Sequence, residues 1–349
     1  MRTYIHFLCF ILCFSSVLSQ SDSIVRVALL TNDQEPERRF NEGVKKYLEQ
    51  DYEGALERFS VALELKNDLE RAIYMQGMCS FSLKKYQEAI SFFQKSLEIQ
   101  KTADTYYYLG ECVYKLDDKA QSLSYFSKAI QLNPKNGDAY YRKGVIFLEQ
   151  QEYDLALICY DSVLVLDQNY FFAWNDIAAI HLRKGNVLDA IKAYEKAILI
   201  NANHAWLFTN LGSAQQKNNE FQNALLSFNK AIKLDPSSFM AFTNRGSVKY
   251  LLQDYSGAIL DFSKAIELKS NYAYAFNNRG IVYNKLMDYD KALTDFNKAI
   301  NLSETEGSFY VNRGVLYENM KKYNLACLDW KKAKEMGGEM AKKYLEFCK

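Results

Sequence analysis

Gly246, Gly280 and Gly314 stand 34 residues apart, and so do Ala258, Ala292 and Ala326, and Phe262, Phe296 and Trp330. The whole stretch Phe242–Ser270 returns in register at Phe276–Glu304 and again at Tyr310–Gly338. A fixed period of this length is the signature of a repeat solenoid, in which each short unit buries its apolar face against its neighbours.

The period runs back through most of the chain. A small residue recurs at Gly43, Gly77, Gly110, Gly144, Ala178, Gly212, Gly246, Gly280 and Gly314, in steps of 34 with a single 33. Twelve residues after each comes Ala55, Ala89, Ser122, Ala156, Ala190, Ala224, Ala258, Ala292 or Ala326. Sixteen after comes Phe59, Phe93, Phe126, Tyr160, Tyr194, Phe228, Phe262, Phe296 or Trp330. Two helices per unit explain these columns. The paired small residues let the helices approach, and the aromatic lies one turn beyond the second small residue on the same face. Pro134 and Pro236 stand where second helices end. Only three prolines in 349 residues suit a chain that is mostly helix.

From Pro36 to about Gly337 this pattern resembles the tetratricopeptide repeat family. Trp174, Tyr140, Phe208, Phe242 and Phe276 fit the family's opening aromatic, Leu109-Gly110 and Leu211-Gly212 its Leu-Gly, and Pro134 and Pro236 its closing Pro. The first-helix Tyr is clean only at Tyr283 and Tyr317. The resemblance implies an all-α, right-handed superhelical solenoid of nine helix–turn–helix repeats over residues 36–337. Residues 338–349 then read as a capping helix, with Met340, Ala341, Tyr344, Leu345 and Cys348 as its apolar stripe.

Comparing units with one another isolates the columns that vary. Arg245, Arg279 and Arg313 precede the small residue, and Asp261, Asp295 and Asp329 precede the second-helix aromatic in the same units. Units without that Arg lack that Asp, so the two columns are expected to touch as structural ion pairs. Two residues before the small one stand Asn210, Asn244, Asn278 and Asn312. In the resembled family this column lines the inner, concave surface, which implies an asparagine ladder for the backbone of an extended peptide. An amide both donates and accepts, so it can pair with a backbone whatever its side chains. Cross-links between neighbouring repeats are the other reading of the same column. In the first half, Tyr74, Tyr107, Tyr108 and Tyr141 are aromatic where the second half carries amides; they read either as packing or as anchors for a partner. The family's clamp for acidic C-terminal tails wants Asn after the first-helix Gly. Val44, Met78, Glu111, Val145, Ser213, Ser247, Ile281 and Val315 stand there instead, so that mode is excluded.

Charge nearly cancels, at 43 basic against 42 acidic residues, which gives no footprint for nucleic acid. Arg2, the apolar run Phe7–Phe14 and Val17-Leu18-Ser19 before Gln20 read as a secretory signal peptide at residues 1–19, followed by a linker at 20–35. The chain is therefore expected to be exported, periplasmic or secreted; the alternative is a membrane anchor formed by the same segment left uncleaved. Removing the signal leaves five of the seven Cys, an odd number that excludes a fully paired disulfide framework. Cys79 and Cys112 occupy the same place in adjacent units and read as small core residues.

His181 and His204 are the mature chain's histidines, with no Cys or carboxylate at zinc-ligand spacing, and no nucleophile elbow, P-loop or dinucleotide fingerprint occurs. No catalytic residue, metal, cofactor or small-molecule substrate is expected. The expected function is a non-enzymatic scaffold that binds an extended segment of a partner protein. The alternative is a chaperone or assembly factor for envelope or secreted proteins.

Overall fold

The structure is a computed structural model that describes residues 35–346 and Cys348. The signal peptide at 1–19 and all but the last residue of the linker lie outside the described residues. Among the described residues there is no strand, and no helix is long and apolar enough to cross a membrane.

The chain divides into two compact units, one ending at Ile146 and one beginning at Phe147. The first holds α1 (Glu35–Leu48), α2 (Tyr52–Leu65), α3 (Glu70–Ser82), α4 (Tyr86–Ile99), α5 (Ala103–Lys115), α6 (Lys119–Leu132) and most of α7 (Gly137–Glu149). The second holds α8 (Tyr153–Leu166), α9 (Phe171–Arg183), α10 (Val187–Ile200), α11 (Ala205–Lys217), α12 (Phe221–Leu234), α13 (Phe239–Leu251), α14 (Tyr255–Leu268), α15 (Ala273–Lys285), α16 (Tyr289–Leu302), α17 (Gly307–Asn319), α18 (Tyr323–Glu335) and α19 (Glu339–Leu345). The first helix of each repeat (the A helix) carries the small residue, and the second (the B helix) carries the aromatic. α19 is the capping helix.

The three repeating columns meet in the core. The ring of Phe59 sits against Gly43, and the same contact recurs between Phe93 and Gly77, Phe126 and Gly110, Phe228 and Gly212, Phe262 and Gly246, and Phe296 and Gly280. A methyl group added at any of these glycines would lie 2.5–2.9 Å from the ring, closer than carbon atoms approach. Where Ser122 replaces the usual Ala, its hydroxyl donates to the Gly110 carbonyl at 2.8 Å, so the substitution leaves no unpaired polar group.

The turn from A to B helix has one conformation throughout. Its second residue has a left-handed backbone at Gln50, Lys84, Asp117, Gln151, Asn219, Gln253, Met287 and Lys321, with φ of 61–66°, and at Gly185. The next residue caps the B helix. Asp51, Asp118, Asp254 and Asp288 accept from the backbone N–H three residues on, whereas Lys85 makes no side-chain cap bond. Lys85→Asp is therefore expected to raise stability by about 1 kcal/mol, read as a higher urea midpoint at unchanged slope.

Candidate functional site

The A helices carry the asparagine, tyrosine and arginine columns singled out above, and the B helices carry the aspartates. In the second unit the asparagine column reaches back to the preceding repeat. Asn210 Nδ2 donates to Asn175 Oδ1 at 3.0 Å, Asn244 Nδ2 to Ser213 Oγ at 3.1 Å, and Asn312 Nδ2 to Asn277 Oδ1 at 2.9 Å. Asn278 accepts at Oδ1 from Asn277 at 3.2 Å, and its own Nδ2 is buried without a partner. Three of the four amides thus join consecutive repeats. Asn244 and Asn278 are only 7% and 6% exposed, while Asn210 and Asn312 are half-buried. Each rung engages one of an amide's two donors, so the half-buried pair keeps hydrogen-bonding capacity at the surface.

The first unit makes the same rung from an ion pair. Arg142 stands in the asparagine column, and its Nε lies 2.9 Å from Glu111 Oε1. The separation in sequence, 31 residues, is that of Asn244 and Ser213. Sequence comparison missed this pair because it matched columns within a unit rather than between units. Burial pushes the Glu111 carboxyl up, and the Arg142 guanidinium pulls it partly back.

The four tyrosines divide by burial. Tyr107 is buried against Phe126, with ring centroids 5.7 Å apart, and against Tyr108 at 5.2 Å. Tyr74 packs on Phe93 at 5.7 Å and meets Tyr108 at 6.3 Å. Tyr74, Tyr108 and Tyr141 are nonetheless half-buried. Tyr107 is thus the one buried member of the four.

The Arg and Asp columns meet as bidentate pairs. Arg245 donates to both oxygens of Asp261 at 2.8 and 2.6 Å, and Arg279 to Asp295 and Arg313 to Asp329 at 2.8 Å for each bond. The remaining terminal nitrogen donates to Asn229, Ser263 or Asn297 on the preceding B helix. Each fork therefore ties three helices, a geometry that the planar guanidinium permits and an ammonium does not. Bonding to the carboxylate raises the Arg279 and Arg313 guanidinium groups above their usual value.

Cys327 on α18 and Cys348 beyond α19 form a disulfide, so the cap is covalently tied to the last repeat. The periodic pattern gives no signal for it, since Cys348 lies outside the repeats and reads from the sequence as part of the cap's apolar stripe. Tyr344 stacks on Trp330 at 4.9 Å beside it. Cys79, Cys112 and Cys159 are buried and take no part in a disulfide. Burial pushes the Cys79 and Cys112 thiols up to about 12, which leaves almost no thiolate at neutral pH. Neither is expected to react with Ellman's reagent until the chain is unfolded. No group of three or more His, Cys, Asp or Glu among the described residues could hold a metal ion.

The tetratricopeptide repeat family model matches residues 103–136, 205–238 and 273–305. Related models of the same repeat match 70–102, 125–158, 173–204 and 246–286. No curated protein matches the sequence. Among solved structures, a tetratricopeptide repeat protein from Parabacteroides merdae is similar at 20% identity, with 70% of this chain and 97% of that one covered and a TM-score of 0.60. The Cut9–Hcn1 hetero-tetramer of the APC/C is similar at 18% identity over 93% of this chain and 66% of that one, with a TM-score of 0.58. Pseudomonas aeruginosa PilF is similar at 18% identity over 61% of this chain and 97% of that one, with a TM-score of 0.53. At these identities the likeness is one of fold.

Proposed function

Because the chain belongs to the tetratricopeptide repeat family, a family of protein-interaction scaffolds, we propose that it binds an extended segment of a partner protein along the A-helix face, without catalysing a reaction. The observation that carries this reading is the partial exposure of the column residues. Asn210, Asn312, Tyr74, Tyr108 and Tyr141 are half-buried, so they offer amides for a backbone and ring edges for side chains. Asn244 supports that face from within, by its bond to Ser213 of the preceding repeat. Two amide contacts at about 0.5–1.5 kcal/mol each give weak affinity before ordering costs, so the tyrosines are needed as anchors.

The scaffold is proposed to work after export. A disulfide persists in an oxidising compartment, and Cys327–Cys348 agrees there with the signal-type run Phe7–Phe14. Two measurements test the reading. The mature protein's intact mass is expected to match a chain that begins at Gln20 and holds one disulfide; a full-length mass would overturn export by cleavage. Affinity capture from native extract is expected to yield partners with residues 20–349 and to lose them with Asn210→Ala, Asn312→Ala and Tyr108→Ala combined. Equal recovery by both baits, at equal helicity, removes the A-helix face from the account. One stoichiometric partner marks a scaffold; many partners displaced by unfolded peptide mark a chaperone.

A further inference from the structure

The B helices of the second unit carry an exposed apolar row. Ile158, Leu226, Leu260 and Leu328 stand two residues before the core aromatic of their repeats, and each is 60–70% exposed. Val165, two turns beyond Ile158, and Leu199, at the same place on α10, are exposed as well. Lys192 and Thr294 interrupt the row. In the first unit the same position is polar, at Glu57, Ser91 and Ser124. A single aliphatic residue on a surface needs no explanation, but one repeated from helix to helix makes a patch.

Lysines accompany the row. Lys230, Lys264, Lys298 and Lys332 follow Leu226, Leu260, Thr294 and Leu328 by four residues, one turn on along the same helix face. Together α12, α14, α16 and α18 hold eight lysines and six carboxylates. Three of the six, Asp261, Asp295 and Asp329, are buried in the arginine forks, so they add no negative charge to the surface. Of the exposed three, Glu267 pairs with Lys264 and Glu335 with Lys332. Lys233, Lys298 and Lys331 are exposed and make no ion pair among the described residues. The chain as a whole is nearly neutral, so this basic excess is local to the face that carries the leucines.

We propose that the B-helix face of the second unit, from Leu226 to Leu328, docks on an anionic lipid surface. The aliphatic side chains enter the boundary between headgroups and acyl chains, and the lysines lay their stems along it with their ammonium groups at the phosphates. Charge complementarity selects this occupant. A protein interface is anchored by aromatic residues and arginine and is depleted of lysine, whereas here the arginines are spent in the forks and the projecting groups are leucine and lysine. A second copy meeting the same face would bring lysine against lysine. The proposal is independent of the peptide-binding reading, which concerns the A helices.

The test is flotation of the mature chain, with its disulfide intact, on vesicles of phosphatidylcholine alone and with about 30% phosphatidylglycerol. Binding is expected to the anionic vesicles only, and to weaken as salt is added. Leu226→Gln, Leu260→Gln and Leu328→Gln combined are expected to weaken it about tenfold, and Lys233→Gln, Lys298→Gln and Lys331→Gln combined to a similar extent. All six residues are exposed, so circular dichroism is expected to stay unchanged. Wild type and variants share one N-terminus, so their difference reports the B-helix face. The proposal is overturned if neither vesicle is bound, if both are bound equally, or if either variant binds like the wild type. It also falls if, in sedimentation without lipid, the wild type is a dimer and the leucine variant a monomer, which would make the row a contact between copies. An acidic protein captured by the wild type and lost with both variants, while vesicles stay unbound, overturns it in favour of a protein surface.

Discussion

Asp295→Ala is expected to lower the free energy of unfolding by about 3–5 kcal/mol, more than a surface ion pair can account for. Asp295 is only 4% exposed, and both its oxygens hold Arg279 at 2.8 Å. Removing it strands a largely enclosed guanidinium whose remaining hydrogen bond goes to Ser263. The Arg279 side chain keeps 20% of its surface, so water relieves part of the cost and the lower end of the range is expected. Asp261 differs, because Lys249 also reaches it at 2.9 Å; its loss would leave two cations facing each other. The check is a double-mutant cycle in urea with Asp295→Ala, Arg279→Met and the pair. A coupling energy near zero would show that the fork is screened by solvent. Because repeats are coupled through their interfaces, the variant is also expected to unfold over a broader transition than the wild type.

The columns that define the fold were legible because each is set within one hairpin. Gly280, Ala292 and Phe296 must meet whatever the neighbours do, and so must Arg279 and Asp295. The asparagine column was harder. Whether Asn244 faces a ligand or Ser213 depends on the offset between successive repeats, and a perfect period says nothing about that offset. The rung between Arg142 and Glu111 was hidden for the same reason. The left-handed turn position escaped too. Gln, Lys, Asp, Asn and Met all occupy it, because the surrounding helix pair fixes the backbone and the side chain at that turn is free to vary. The cap's disulfide lies beyond the last period, where only the docking of α19 brings Cys348 to Cys327.

The second large effect concerns the glycine column, and the chain contains its own control. Gly212→Ala puts a methyl group 2.7 Å from the Phe228 ring, and the ring is fully buried, so it cannot swing into solvent. Overpacking of this kind costs about 1–3 kcal/mol. At Ala178 the array already carries that methyl, opposite Tyr194, which is buried like its counterparts in the other repeats. The backbone of that hairpin has therefore settled at a spacing that a Cβ allows. Gly314→Ala is the harsher case. Its methyl would meet the Trp330 indole at 2.3 Å, and that ring is held by a bond from Nε1 to the Val311 carbonyl at 3.4 Å and by the stack with Tyr344. Shifting the indole disturbs the cap as well as the last repeat. Gly314→Ala is thus expected to exceed Gly212→Ala in urea denaturation and to make the Cys327–Cys348 bond easier to reduce. Ala178→Gly relieves no clash; it is expected to cost about 0.5–1 kcal/mol through backbone entropy. Equal losses at Gly212 and Gly314 would show that the ring over the glycine moves freely, and that the small residue is kept for some reason other than contact.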